Sequence, residues 1–264
     1  MTAKNCLNCN KTLTDKYCSG CGQKADTHRI TFRNFIHHDV LHGTFHIDKG
    51  MLYTAKQALI RPGKAALDYI SGKRVRYYNV FYLILISIGL LLFFRHTVDT
   101  WIYGEEAVLP QHKPQLNQAS QTIDAIFKQK SKIIIFLFVP LAALNSFILF
   151  RRKKLNLSEH FIIGGMILLG ILLLNILGYF LFYLDYGNWF SDTFLSWLIV
   201  GLCFLYTGYA YFNAFSEDYS TWGILYRVLL FFGLIALEAF ILLLLLIGYA
   251  TNWKMGVVTL SPFS

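Results

Sequence analysis

The pattern of apolar and polar positions divides the chain into a polar first third and an apolar remainder. Beyond Asn79 five apolar runs recur, at about 79–94, 133–150, 161–184, 194–215 and 225–249. Most reach the roughly 20 residues that a bilayer core demands of a helix. A helix satisfies its own backbone polar groups in lipid, so the runs predict an all-α polytopic membrane protein with five transmembrane helices. The first run is the shortest and is expected to extend into its tyrosine-rich N-terminal flank.

Ahead of these runs the period is that of surface helices. After Thr31, a candidate N-cap, Phe32, Phe35, Ile36 and Val40 share one face. The stretches "GMLYTAKQALI" (50–60) and "KAALDYIS" (64–71) read as amphipathic juxtamembrane helices. Arg61, Pro62 and Gly63 separate them, a break that proline and glycine both enforce. Gly72 ends the second helix. Lys73, Arg74 and Arg76 are then expected at the lipid headgroups, with Tyr77, Tyr78 and Tyr82 in the aromatic belt. Residues 95–131 read as an outer loop, rich in Gln and Asn and interrupted by Pro110 and Pro114. It is expected to end in a helix from Ala119 that carries Ile123, Ile126 and Phe127 on one face. The resulting division is 1–26, 27–78 and 79–264: an N-terminal module, a cytosolic amphipathic helical region and a transmembrane domain.

Charge sets the orientation. Residues 1–78 hold 13 Lys/Arg against 5 Asp/Glu, whereas residues 79–264 hold 11 against 10, so nearly all of the net +9 lies ahead of the first run. "RRKK" (151–154) joins the second and third runs, and the connection with Asp185 and Asp192 has neither Lys nor Arg. An excess of Lys and Arg marks cytoplasmic loops, which places the N-terminus in the cytosol and the C-terminus outside. Met1 to Lys24 is polar and has no apolar core segment, so insertion is expected from the internal runs.

The N-terminal module carries the clearest chemistry. Its spacing is Cys6-x2-Cys9-x8-Cys18-x2-Cys21, and paired Cys-x-x-Cys turns bring four thiolates onto one tetrahedral Zn²⁺. Four thiolates leave no open coordination position, so the zinc is expected to be structural: it folds a ribbon with almost no core. Such a ribbon is also a docking module for a cytosolic protein partner. The basic residues cluster toward the membrane and not on the ribbon, which argues against nucleic acid. His38, His42 and His46 recur every four residues beside Asp39 and Asp48, a second metal set if one helix carries all three imidazoles. Gly43 interrupts that helix, and interfacial histidines are the ordinary reading.

Polar groups within the apolar runs are few. Glu238 lies mid-way along the last run, where a carboxylate costs roughly 2.5 to 3.5 kcal/mol, so it is expected to face the bundle, to be protonated or to find a partner, with Asn145 and Asn175 as candidates. Gly164, Gly165, Gly170, Gly201 and Gly208 permit close helix approach. Cys203 reads as an apolar filler.

Cys6-x2-Cys9 and Cys18-x2-Cys21-Gly22-Gln23, followed by "ITFRNFIHHDVLHGTFHIDKGMLYTAKQAL", "RPG" and "YISGKRVRYYN", resemble a bacterial domain-of-unknown-function family. That family pairs an N-terminal zinc ribbon with a polytopic membrane region. The resemblance covers about the first 95 residues and implies no known activity. It implies a signature in Asp48, Lys49, Gly50, Arg61, Pro62, Gly63, Tyr69, Gly72, Lys73 and Arg74. Five spans behind a cytosolic N-terminus are similar to Yip-type membrane proteins in layout alone.

Three function classes follow. The first is a non-enzymatic membrane protein whose ribbon and basic helices engage a cytosolic partner or anionic lipid of the bilayer. The second is a metal-dependent enzyme acting on a lipid or lipid-linked substrate, with the His/Asp set as ligands and Arg61, Lys73, Arg74 and Arg76 on phosphate. The third is a transporter built on Glu238.

Overall fold

The computed structural model describes residues 5–25, 49–103, 123, 126, 137–184, 191–251 and 253 of the 264. Among them are seven helices: α1 Lys49–Ile60, α2 Pro62–Ile70, α3 Val80–Tyr103, α4 Leu137–Leu149, α5 Leu157–Leu184, α6 Asp192–Phe215 and α7 Thr221–Ala250. The ribbon adds two isolated antiparallel bridges, Asn5 with Thr12 and Tyr17 with Lys24. Four helices, α3, α5, α6 and α7, are long and apolar enough to cross a membrane. α4 is the described part of the remaining run, and most of 104–136 lies outside the described residues.

The helix boundaries follow local chemistry. Asn79 accepts from the amides of Phe81 (3.0 Å) and Tyr82 (3.5 Å), so α3 starts at Val80 and does not extend into its tyrosine-rich flank. It lengthens at the other end, to Tyr103, so 95–103 is helix and not outer loop. Past Arg95 the backbone keeps bonding internally, and Thr97 and Thr100 turn their hydroxyls onto the carbonyls of Phe93 and His96. Ile123 and Ile126 are helical, as expected, with Ile123 fully buried. Ser191 and Ser220 cap α6 and α7 through the amides of Phe194 and Gly223. Asn156 and Glu159 form a reciprocal capping box at α5: each accepts from the other's amide, at 2.8 and 2.9 Å.

α5 is the hub, with α1, α2, α3 and α6 all packed on it. α7 lies at the edge, against α6 and the end of α4. One end of the bundle is locked by aromatic packing: the Phe150 ring stacks on Phe215 at 4.4 Å and on Tyr211 at 5.2 Å. Tyr219 lies between the Arg152 and Arg227 guanidiniums, 4.8 and 4.3 Å from its centroid. Lys153 pairs with Asp218 at 2.9 Å, so the 151–154 and 216–220 connections meet at this end.

α1 and α2 depart most from expectation. Only Arg61 separates them, because Pro62 occupies the first turn of α2, where its missing N–H costs nothing. Their inner face is made of small residues, with Thr54, Ala58, Ala65 and Ala66 at 0% exposure. This face is wedged against α5 and α6 and does not lie on lipid. Gly63 sits so close to α6 that a Cβ would overlap the Ala210 carbonyl and the Ala214 backbone. The Lys64 amide donates to Asn213 Oδ1 at 2.8 Å. The Tyr209 hydroxyl donates to the Ile60 carbonyl at 2.8 Å, and the Tyr206 hydroxyl to that of Ala58. Tyr206 lies about 13 Å from the end of α6 at 1.5 Å per residue, and it fills the space left by Gly170, about 20 Å along α5. The hairpin tip therefore packs on the last turns of α6, and Tyr206 reaches it from deeper in that helix.

Candidate functional site

The ribbon consists of two equivalent turns. The Cys6 amide donates to Lys11 O and the Asn10 amide to Cys6 O; the Cys18 amide donates to Gln23 O and the Gly22 amide to Cys18 O, all at 2.8 Å. The fourth residue after each leading cysteine, Asn10 or Gly22, is left-handed, with φ of 61° and 75°. This repeat brings all four Sγ atoms within 4.8 Å of one another, with Cys6 to Cys21 at 3.6 Å and Cys9 to Cys18 at 3.5 Å. Four sulfurs about 2.3 Å from one tetrahedral ion stand about 3.8 Å apart, so the donor set fits a metal. Cys6 and Cys18 are buried, whereas Cys9 is exposed at the ribbon's edge.

The thiols differ in acidity. The Gln23 backbone amide and the Asn8 side chain hold Cys21 down to about 6. The Gly20 amide, 3.4 Å from its sulfur, lowers Cys18. At Cys9 the Lys11 amide pulls downward, but hydrogen bonding with Cys18, Cys21 and Cys6 together with desolvation outweighs it, and the thiol is pushed up to about 12. Amides aimed at sulfur stabilise thiolate and so prepare the site for a cation.

The ribbon rests on the turn after α2. Gln23, 5% exposed, donates from Nε2 to the Gly72 carbonyl at 2.8 Å and accepts from the Arg74 amide at 3.4 Å. Leu7 covers Gly72, whose φ of 101° suits glycine and where a Cβ would come within 2.6 Å of Leu7 Cδ1. Two ribbon residues, one after Cys6 and one two after Cys21, thus grip a single turn.

Beside this contact lies a charged cluster centred on Asp68. Its carboxylate meets Arg61 Nη2 at 3.2 Å and Lys73 Nζ at 2.9 Å, and it accepts from the Tyr77 hydroxyl at 3.5 Å. Arg61 folds back along the hairpin to donate to Gln57 as well. The Tyr77 ring packs edge-on against Tyr53 at 5.3 Å and Tyr69 at 6.2 Å; burial, with Asp68 adding to it, pushes its phenol above the usual range. Arg74 lies over the Tyr69 ring at 5.3 Å.

Of the residues singled out from sequence, Cys6, Cys9, Cys18 and Cys21 converge, and Arg61 and Lys73 meet at Asp68. Arg74 turns inward onto Tyr69, and Arg76 is exposed. Tyr82 is buried in the bundle and does not face a lipid belt, because its position on α3 turns toward the core. Asn145 Nδ2 donates to Glu238 Oε2 at 3.0 Å, whereas Asn175 donates to the Ile171 carbonyl and lies 3.6 Å from Cys203. Among the described residues, nothing lies within 4 Å of a Cβ placed at Gly201, so it brings none of their helices close. His38, Asp39, His42, His46 and Asp48 lie outside the described residues.

Sequence reasoning missed Asp68, Gln23, Tyr206 and the buried Ser146–His160 pair, with Oγ to Nδ1 at 2.7 Å. A lone acid amid seven basic residues, from Lys49 to Arg76, was a readable signal for Asp68. The other three depend on partners 14 to 148 residues away.

No curated protein and no solved structure matches the chain. The ribbon lies outside the stretch that a family model matches. That stretch, residues 48–93, matches a family described as "Protein of unknown function (DUF3667)", and it holds α1, α2 and every member of the Asp68 cluster.

Proposed function

We propose that the protein is a non-enzymatic, five-span protein of the bacterial inner membrane, with its N-terminus cytosolic, whose structural zinc ribbon and wedged hairpin form a platform for anionic lipid. The observation that carries this reading is the two-sidedness of the hairpin. Its inner face is spent on α5 and α6, while its outer face exposes Lys56, Lys64 and Arg76 among Leu52, Ile60 and Val75. That face adjoins Val80, where α3 begins, at the level where lipid phosphates meet a span. Basic residues beside apolar ones suit this depth, each Lys or Arg contributing on the order of 1 kcal/mol toward an anionic surface. The Asn145–Glu238 hydrogen bond supports a packing role for the acid over a transport role.

The test is retention of phosphatidylglycerol by full-length protein in nanodiscs, read by native mass spectrometry. Replacing Lys56, Lys64 and Arg76 together by Gln is expected to weaken retention roughly 100-fold at low salt. Unchanged retention overturns the reading.

A further inference from the structure

We propose that the metal-bound ribbon is a clamp on the basic turn 72–76, and that loss of metal frees Lys73 and Arg74 to meet anionic lipid phosphates. This rests on the lipid-platform reading above and adds its regulation.

The clamp is built from contacts that exist only while the ribbon is folded. Residues 5–25 have almost no apolar core: the buried residues there are Cys6, Cys18 and Gln23. Two of these are metal ligands and the third is the clamp itself. A module of this kind is folded by its ion and unfolds without it. The described ribbon touches the rest of the chain through Gln23 on Gly72 and Arg74, and Leu7 on Gly72. Gly72 is held left-handed, which turns the chain so that Lys73 reaches Asp68 and the Lys73 amide bonds the Asp68 carbonyl at 3.0 Å. Arg74, its amide held by Gln23, lies on Tyr69. In the clamped state Lys73 is exposed but paired with Asp68, and Arg74 lies half-buried on Tyr69, while Arg76 is exposed.

Unfolding the ribbon takes Gln23 away from both Gly72 and Arg74 and removes the cover over Gly72, a residue with wide backbone freedom. The turn then keeps only its own contacts with α2, from Gly72, Lys73 and Arg74 to Asp68 and Tyr69, and its cations become more available to phosphate oxygens. Cys9, exposed at the ribbon's edge, gives a competing chelator a route to the ion.

The test uses full-length protein in phosphatidylglycerol-containing nanodiscs, with metal content measured throughout. Trypsin cleaves after Lys73, Arg74 and Arg76, and cleavage of a folded turn follows its open population. Removing metal with a chelator is expected to raise cleavage there about tenfold or more, and restoring Zn²⁺ to reverse it. Gln23→Ala, retaining one metal per chain, is expected to raise cleavage by a similar factor and to increase bound phosphatidylglycerol. Wild-type protection in metal-loaded Gln23→Ala overturns the clamp. Raised cleavage with unchanged lipid overturns the gating, and because the triple Gln variant alters neither Lys73 nor Arg74, its result stands apart from both.

Discussion

The ribbon and the hairpin are neighbours of similar size held in place by opposite means. The ribbon spends its sequence on four sulfur ligands and the turns that aim them, and buries almost nothing else. The hairpin carries no ligand set; it buries alanines, a threonine and a glycine until backbone meets backbone on α6. On the reading proposed above, one unit is expected to come apart when an ion is taken away and the other only when the bundle is altered. They meet at Gly72, where the ribbon grips the turn that follows the hairpin.

The sharpest way to separate them is to delete a ligand. Cys18→Ser is expected to reduce metal from one per chain to none and to unfold the ribbon completely, with the thermal midpoint of the membrane bundle unchanged; elemental analysis and scanning calorimetry read the two effects. Gly63→Ala attacks the other unit: the Ala210 and Ala214 backbone cannot yield to a Cβ, so a loss of about 3 kcal/mol is expected, with metal content intact. Tyr206→Phe leaves the buried Ala58 carbonyl without its donor and is expected to cost about 2 kcal/mol in a denaturation series. Asp68→Asn is expected to cost no more than about 1 kcal/mol, since Arg61 and Lys73 are 38% and 51% exposed and their ion pairs are screened.

The same contrast explains what could be read from sequence. Four cysteines in sixteen residues announce by spacing that their sulfurs converge, because each turn is local. Membrane runs are equally legible, since lipid imposes length and apolarity on contiguous residues. α1 and α2 were found within two residues of their ends, but not their seat. Ala58, Gly63, Ala65 and Ala66 look like weak amphipathicity until an opposing backbone is known. The extension of α3 to Tyr103 was hidden by Arg95, a charge that ends an apolar window without ending a helix. Gln23 stood in plain view beside Cys21, yet its partner lies 49 residues away.

The most direct measurement is hydrogen–deuterium exchange on the full chain in nanodiscs, before and after metal is stripped. Residues 5–25 and 72–76 are expected to lose protection while residues 54–66 keep theirs. A hairpin that exchanges together with the stripped ribbon, or a ribbon that stays protected without metal, contradicts the account.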